Sequence, residues 1–133
     1  MKELIGKAQA TILSYRGMMP TLGKNILICD GVRIIGDVEI GDDSNIWFNA
    51  VLRGDVFPIK IGKRTNIQDG SILHVTTDKF ALNIGDDVTV GHNAILHGAT
   101  IGNRRVSISF VSNSSLYPVP VCIVIRGFLV SAV

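Results

Sequence analysis

An aliphatic side chain returns every six residues through most of this chain, and that period limits the possible folds more than any other feature. Ile28, Ile34, Ile40, Ile46 and Leu52 follow one another at an unbroken spacing of six. The frame resumes at Ile61, Ile67 and Leu73, then at Ile84, Val90 and Leu96, with a five-residue step to Ile101. Glycine follows the aliphatic at Ile40-Gly41, Ile61-Gly62, Ile84-Gly85, Val90-Gly91 and Ile101-Gly102. Internal repetition at this period is the mark of a parallel β-helix. Three hexapeptides make one triangular coil, each supplying a short strand and a corner. The aliphatic points into the prism, and Gly, Asn and Asp take the corners because they tolerate positive φ. An ordinary sandwich of short strands would not hold five consecutive starts at one spacing.

Two steps break the period. From Leu52 to Ile61 the step is nine, with Val56-Phe57-Pro58 as the extra residues. Proline there suits a corner bulge and not a central ladder. From Leu73 to Leu96 the separation is 23 residues, one 18-residue coil plus five. The segment Val75-Thr76-Thr77-Asp78-Lys79-Phe80 therefore reads as a loop leaving the prism. With it set aside, Leu73 and Leu96 lie one above the other. Their followers His74 and His97 then share a pleat position on adjacent coils, about 4.8 Å apart. His92, two residues after Val90, belongs to the preceding corner and should point elsewhere. These are the chain's three histidines.

Bulk properties narrow the remaining choices. At 133 residues the chain is one domain with room for a real core. A net charge of +2 and 18% charged residues give no basic stripe with interleaved aromatics, which argues against nucleic-acid binding. Cys29 and Cys122 are far apart and form no CxxC pattern, so a reducing cytosol is the simpler expectation. The N-terminal residues do not read as a signal peptide. The most apolar run, Val119 to Val130, is broken by Pro120 and Arg126 and is too short to span a bilayer. A cytoplasmic protein that binds neither membrane nor nucleic acid is expected.

From Asn25 to about Arg104 the chain resembles the gamma-class carbonic anhydrase family, also labelled hexapeptide transferases. The residues that carry the resemblance are IGDVEIGDDSNIWFNAVLRGD (35–55), IGKRTNIQDGSILH (61–74) and IGDDVTVGHNAILHGATIGN (84–103). It implies an all-β fold, a single-stranded left-handed parallel β-helix of hexapeptide repeats. The hand comes from the resemblance, since chain crossovers are otherwise nearly always right-handed. It also implies a homotrimer with a metal at each subunit interface, His74 and His97 coming from one chain and His92 from its neighbour. Three neutral imidazoles leave a fourth position open for water, the arrangement of a catalytic site. Zn2+ is the expected metal, with Fe2+ or Co2+ also suited to imidazole. The implied reaction is reversible hydration of CO2 to bicarbonate by a metal-bound hydroxide. Arg53 and Asp55 match residues that pair across the subunit interface. Gln68 and Asp69 match residues beside the metal, where an amide can orient the nucleophile, and Asn66 matches a position lining the site.

The family pattern is not complete. Where one branch carries proton-shuttling glutamates, this chain has Val56, and its short loop holds only Asp78 as an acid. Each CO2 hydrated releases a proton that must leave, so slow hydration is expected unless buffer carries it. After Gly102 the period stops: the next start would be Ser107, and no Asp or Glu follows Asp87. The chain therefore divides into a β-helix with its lead-in over 1–104 and a divergent tail over 105–133, in place of further coils and a C-terminal helix. We read the tail as a shifted reading frame, against a genuine divergent cap; coding DNA without hexapeptides in either alternative frame past codon 104 would exclude the shift. Two further functions compete with the lyase: a CoA-dependent hexapeptide acyltransferase, and a non-catalytic metal-binding assembly protein.

Overall fold

The computed structural model describes residues 9–112, 123–125 and 128–130, with side chains described as far as Arg105. In chain order the strands are β1 Thr11–Leu13, β2 Thr21–Leu22, β3 Leu27–Ile28, β4 Arg33–Ile40, β5 Asn45–Ile46, β6 Val51–Ile61 and β7 Asn66–Ile67. They continue as β8 Ile72–His74, β9 Leu82–Ile84, β10 Thr89–His97, β11 Thr100–Ile101, β12 Val106–Ser112, β13 Ile123–Ile125 and β14 Phe128–Val130. Among the described residues there is no helix, so none is long and apolar enough to cross a membrane.

Every pairing among β1 to β12 is parallel, and each strand meets a segment about one coil away. Stacked this way, the strands form three faces. The first takes β1, the starts of β4 and β6, then β8 and the ends of β10 and β12. The second takes β2, the ends of β4 and β6, then β9 and β11. The third takes β3, β5, β7 and the starts of β10 and β12. The six-residue period is thus the distance from one face to the next.

Inside the prism the repeat aliphatics form three columns. Ile34, Leu52, Leu73 and Leu96 line the first face, Ile40, Ile61, Ile84 and Ile101 the second, and Ile46, Ile67 and Val90 the third; all are buried. Each such side chain contributes about 1.5–3 kcal/mol by leaving water. Several turns end on a small residue just before the next face, Ser44, Ala50, Thr65, Ser71 and Ala94, and three of these are polar. The Ser44 hydroxyl donates to the Gly62 carbonyl at 2.9 Å and accepts the Thr65 amide at 3.1 Å. Thr65 donates to Gly85 at 2.8 Å and accepts from Val88 at 3.2 Å. Ser71 does the same for Gly91 at 2.8 Å and Ala94 at 3.3 Å. Each buried hydroxyl therefore satisfies two backbone groups that the turn in the next coil leaves without partners.

The corners follow one rule at two edges and none at the third. Between the second and third faces every corner has four residues, at 23–26, 41–44, 62–65, 85–88 and 102–105. Its third residue lies in the left-handed region each time: Asn25, Asp43, Arg64, Asp87 and Arg104, with φ from 52° to 59°. Corners between the third and first faces also have four residues, with Gly31, Asn49, Gly70 and Asn93 at positive φ. Between the first and second faces the connection varies from Asp37 alone to all of 75–81. Both breaks in the sequence period fall on that edge. Pairing slips between Gly36/Gly54 and Val38/Ile59, which makes Asp55–Pro58 a bulge inside continuous β6. The expected loop is shorter than anticipated: Val75 is buried with the core, and Thr76 and Phe80 form the bridge that closes it.

The division proposed at 104/105 falls just before β12, whose backbone continues the parallel stack on β10. There Ile108, one residue past the expected start, is the partner of Val90. β13 and β14 pair with each other, antiparallel. The rest of the tail lies outside the described residues.

Candidate metal centre

The stack builds the site by register. His74 ends β8 and His97 ends β10, and the two are Cα partners, as the count of one coil plus five residues requires. Leu73 and Leu96 anchor them from inside the prism, so both imidazoles project outward from the first face. Their rings stand 5.2 Å apart between centroids, tilted by 55°. Burial lowers the His97 pKa below the ordinary imidazole value, and the nearby His74 and Arg53 lower it further. A neutral ring with an available lone pair is therefore favoured, as metal binding requires.

Asp55 stands beside this pair. Its Oδ1 lies 2.9 Å from His74 Nε2, and its Oδ2 accepts from Arg53 Nη1 at 2.6 Å. Burial alone would raise the Asp55 pKa, but hydrogen bonds from His74 and Arg53 and their charges outweigh it and hold the carboxyl below its usual value. Arg53 and Asp55, expected to pair across a subunit interface, pair here within one chain. Asp55 is positioned by the close meeting of coils at Gly36 and Gly54. Gly36 has φ of 77°, and a Cβ on either glycine would run into the backbone opposite. Asp55 also borders a cavity of about 240 Å³ lined by Tyr15, Arg16, Met18, Asp37 and Phe57.

Three of the other expected residues sit at the opposite end of the first face. Gln68, Asp69 and His92 occupy stacked corners that lead into it, and His92 Nδ1 is 2.9 Å from Asp69 Oδ2. This pair is open to solvent, with His92 64% exposed. Asn66 lies on β7, and its Oδ1 is buried without a hydrogen-bond partner. Among the described residues, no three His, Cys, Asp or Glu side chains come together around one point within the chain. The donor set still fits a metal as two parts of a divided centre: a facing histidine pair, in which His97 is biased toward neutrality, and a separate exposed histidine. Sequence reasoning missed Thr76, whose Oγ1 is 3.4 Å from His97 Nδ1, and the two Asp–His contacts. Register alone carries no signal for these, since they depend on side-chain reach.

The family described as "Bacterial transferase hexapeptide (six repeats)" matches residues 19–54. The crystal structure of a Bacillus cereus protein described as an acetyltransferase superposes with a TM-score of 0.70 at 32% identity, covering 94% of this chain and 84% of that one. The chain belongs to the hexapeptide-repeat, gamma carbonic anhydrase-like family. Protein YrdA of Escherichia coli is 53% identical over 96 residues, covering 68% of this chain and 52% of that protein. A carbonic anhydrase of Geobacillus kaustophilus is 51% identical over 90 residues, covering 68% of this chain and 49% of that protein. The chain spans about half the length of the curated relatives it matches. Its all-β stack of parallel coils is the left-handed β-helix expected of the family.

Proposed function

We propose that this chain is a metal-dependent, carbonic anhydrase-like lyase that hydrates CO2 to bicarbonate reversibly, with its complete site formed between copies of a homotrimer. One observation carries the reading. His74 and His97 form a facing pair, while His92 sits at a corner apart from them and bonded to Asp69. One chain offers two ligands on one edge of the first face and the third on the other edge, so a second copy completes the set. Ile72 and Ile95, 45% and 43% exposed, are Cα partners on this same face and give copies an apolar surface to share. In the assembly, Arg53 and Asp55 extend their pairing to the neighbouring copy.

Zinc is the proposed metal, with Fe2+ or Co2+ as substitutes, and His74, His97 and His92 of another copy would hold it. When bound it supplies the Lewis acidity that activates water near neutral pH. The chain's own groups do the rest. The Gln68 amide orients the attacking water, and Asn66, two residues before it on β7, lines the site. Asp69 holds His92. As the new C–O bond forms, one proton leaves for each CO2 consumed. Val56 cannot relay it, so buffer carries it and turnover rises with buffer concentration.

Solution mass and elemental analysis test this reading together. The expected result is a species of three times the 14.3 kDa chain mass, with one metal per chain that is lost in His92→Ala. A metal-free protein after growth with zinc, or unchanged metal content in that variant, refutes it. Likeness to the acetyltransferase-described structure over nearly the whole chain favours a second reading, a CoA-dependent acyltransferase. Saturable acetyl-CoA binding by protein without metal would select it.

A further inference from the structure

Both breaks in the six-residue period bring a phenylalanine to one cavity. Phe57 comes from the bulge, and Phe80 from the loop closed by its bridge to Thr76. With Lys79, Asn83, Gly98 and Thr100 they line about 280 Å³ at the margin of the second face. Each aromatic wall is held by the coils. Phe57 packs against the prism core. The Thr76 amide donates to the Phe80 carbonyl at 3.1 Å, and the Phe80 amide donates back to the Thr76 carbonyl at 3.3 Å. Gly98 lets the loop fold down this far. Its φ is 54°, and a Cβ there would stand 2.8 Å from the Phe80 Cβ. A regular prism would lack this cavity, and loops set on a rigid scaffold are where binding groups concentrate.

The polar groups set the charge of what can bind. Lys79 forms no ion pair among the described residues. Asn83 and Thr100 are Cα partners on adjacent coils, each pointing outward between two buried neighbours. Their amide and hydroxyl can both donate. Lys60 is the Cα partner of Asn83 one coil earlier and adds a second positive charge to the column, with Glu39 a further coil away. Asp78, the acid of the loop, is exposed and does not line the cavity. Ligand pockets commonly hold about 300–1,000 Å³, so this one suits a single ring with an acid group and is too small for a nucleotide. We propose that the cavity binds a small aromatic carboxylate, its ring between Phe57 and Phe80 and its carboxylate toward Lys79, Asn83 and Thr100. Aromatic walls favour a ring over an aliphatic group beyond the area buried. Hydrogen bonds to an ionised carboxylate are roughly twice as strong as neutral ones. Phe57 also borders the neighbouring cavity that holds Asp37 and Asp55, and repulsion from those acids turns an anion toward Lys79. The site needs neither a metal nor a second copy, and so goes beyond the lyase reading.

Titration of the full, metal-free chain with sodium benzoate, followed in 1H–15N correlation spectra, tests the assignment. Saturable shifts are expected at Lys79, Phe80, Asn83, Gly98 and Thr100. Acetate lacks the ring and benzylammonium reverses the charge, so each should bind at least about tenfold more weakly. Lys79 is exposed, so Lys79→Glu keeps the fold and should weaken benzoate about tenfold or more. Phe80→Leu keeps apolar bulk without the ring and should weaken it severalfold. Lys24→Glu makes the same charge change on the corner between the second and third faces and should leave binding as it was. Shifts that fail to saturate, equal binding of benzylammonium, or unchanged affinity in Lys79→Glu overturn the inference. Zinc content and oligomer size play no part in these readings, so the metal reading stands or falls separately.

Discussion

Gly54→Ala tests whether the close approach of two coils sets the site. Gly54 is not in the left-handed region, so alanine is free of backbone strain there and the substitution probes contact alone. An added Cβ would lie 2.8 Å from the Asp37 carbonyl carbon and closer still to its oxygen, where ordinary contact begins at 3.4 Å. The neighbouring coil must therefore give by at least the difference of those two distances, and it is backbone that must move. Overpacking of this kind costs about 1–3 kcal/mol, and each coil-to-coil hydrogen bond it weakens costs about 1 kcal/mol more. A total of about 2–4 kcal/mol corresponds to a melting temperature lower by roughly 8–16 °C in a domain of this size. The displaced residue next in sequence is Asp55, so its 2.9 Å contact with His74 should open. Thermal unfolding by circular dichroism of the metal-free protein, with zinc competition on the folded protein, reads both effects. An unchanged melting temperature and unchanged zinc affinity would refute the role given to this contact.

Ser71→Ala removes the hydroxyl that serves the Gly91 carbonyl and the Ala94 amide, and should cost about 2–4 kcal/mol, seen as a lower urea midpoint. Arg104→Asn replaces a residue with φ of 56° by one suited to that region and should stabilise by up to about 1 kcal/mol in the same assay. In metal-free protein, the folded state holds the His97 pKa below its ordinary 6.5. The unfolded chain therefore takes up the proton first as pH falls, so this contribution is full above 6.5 and declines below it, until the folded value is passed. The melting temperature should fall across that window, and His97→Gln should flatten the fall.

Counting by six was enough to read the interior of this protein. The columns through Ile34, Ile40 and Ile46 follow from it, and so does the meeting of His74 with His97 across a 23-residue gap. Val56-Phe57-Pro58 was legible as a bulge because the surplus over the period is three residues. What the period cannot reach are contacts made where it is suspended. Asp55 touching His74, and Thr76 touching His97, belong to the irregular edge, where side-chain length and rotamer decide and no spacing rule applies. Val75 was assigned to the loop because it follows the last regular repeat residue, yet one more apolar side chain could still be buried before the chain turned out. β12 was hidden for a different reason. Parallel pairing needs only backbone groups and an extended chain, so it continues after the aliphatic–glycine signal ends.

The single irregular edge has a consequence for what the scaffold tolerates. Two edges act as fixed gears: a residue added to either would rotate later side chains off their columns, and one added between His74 and His97 would separate that pair. The third edge is a clutch. It already carries connections of one residue, of four and of seven, and the coils on either side remain in phase. New loops can be tried there, directly beside Asp55 and the histidine pair, while the core is left unchanged. A scaffold divided in this way can change what it recognises without relearning how to fold.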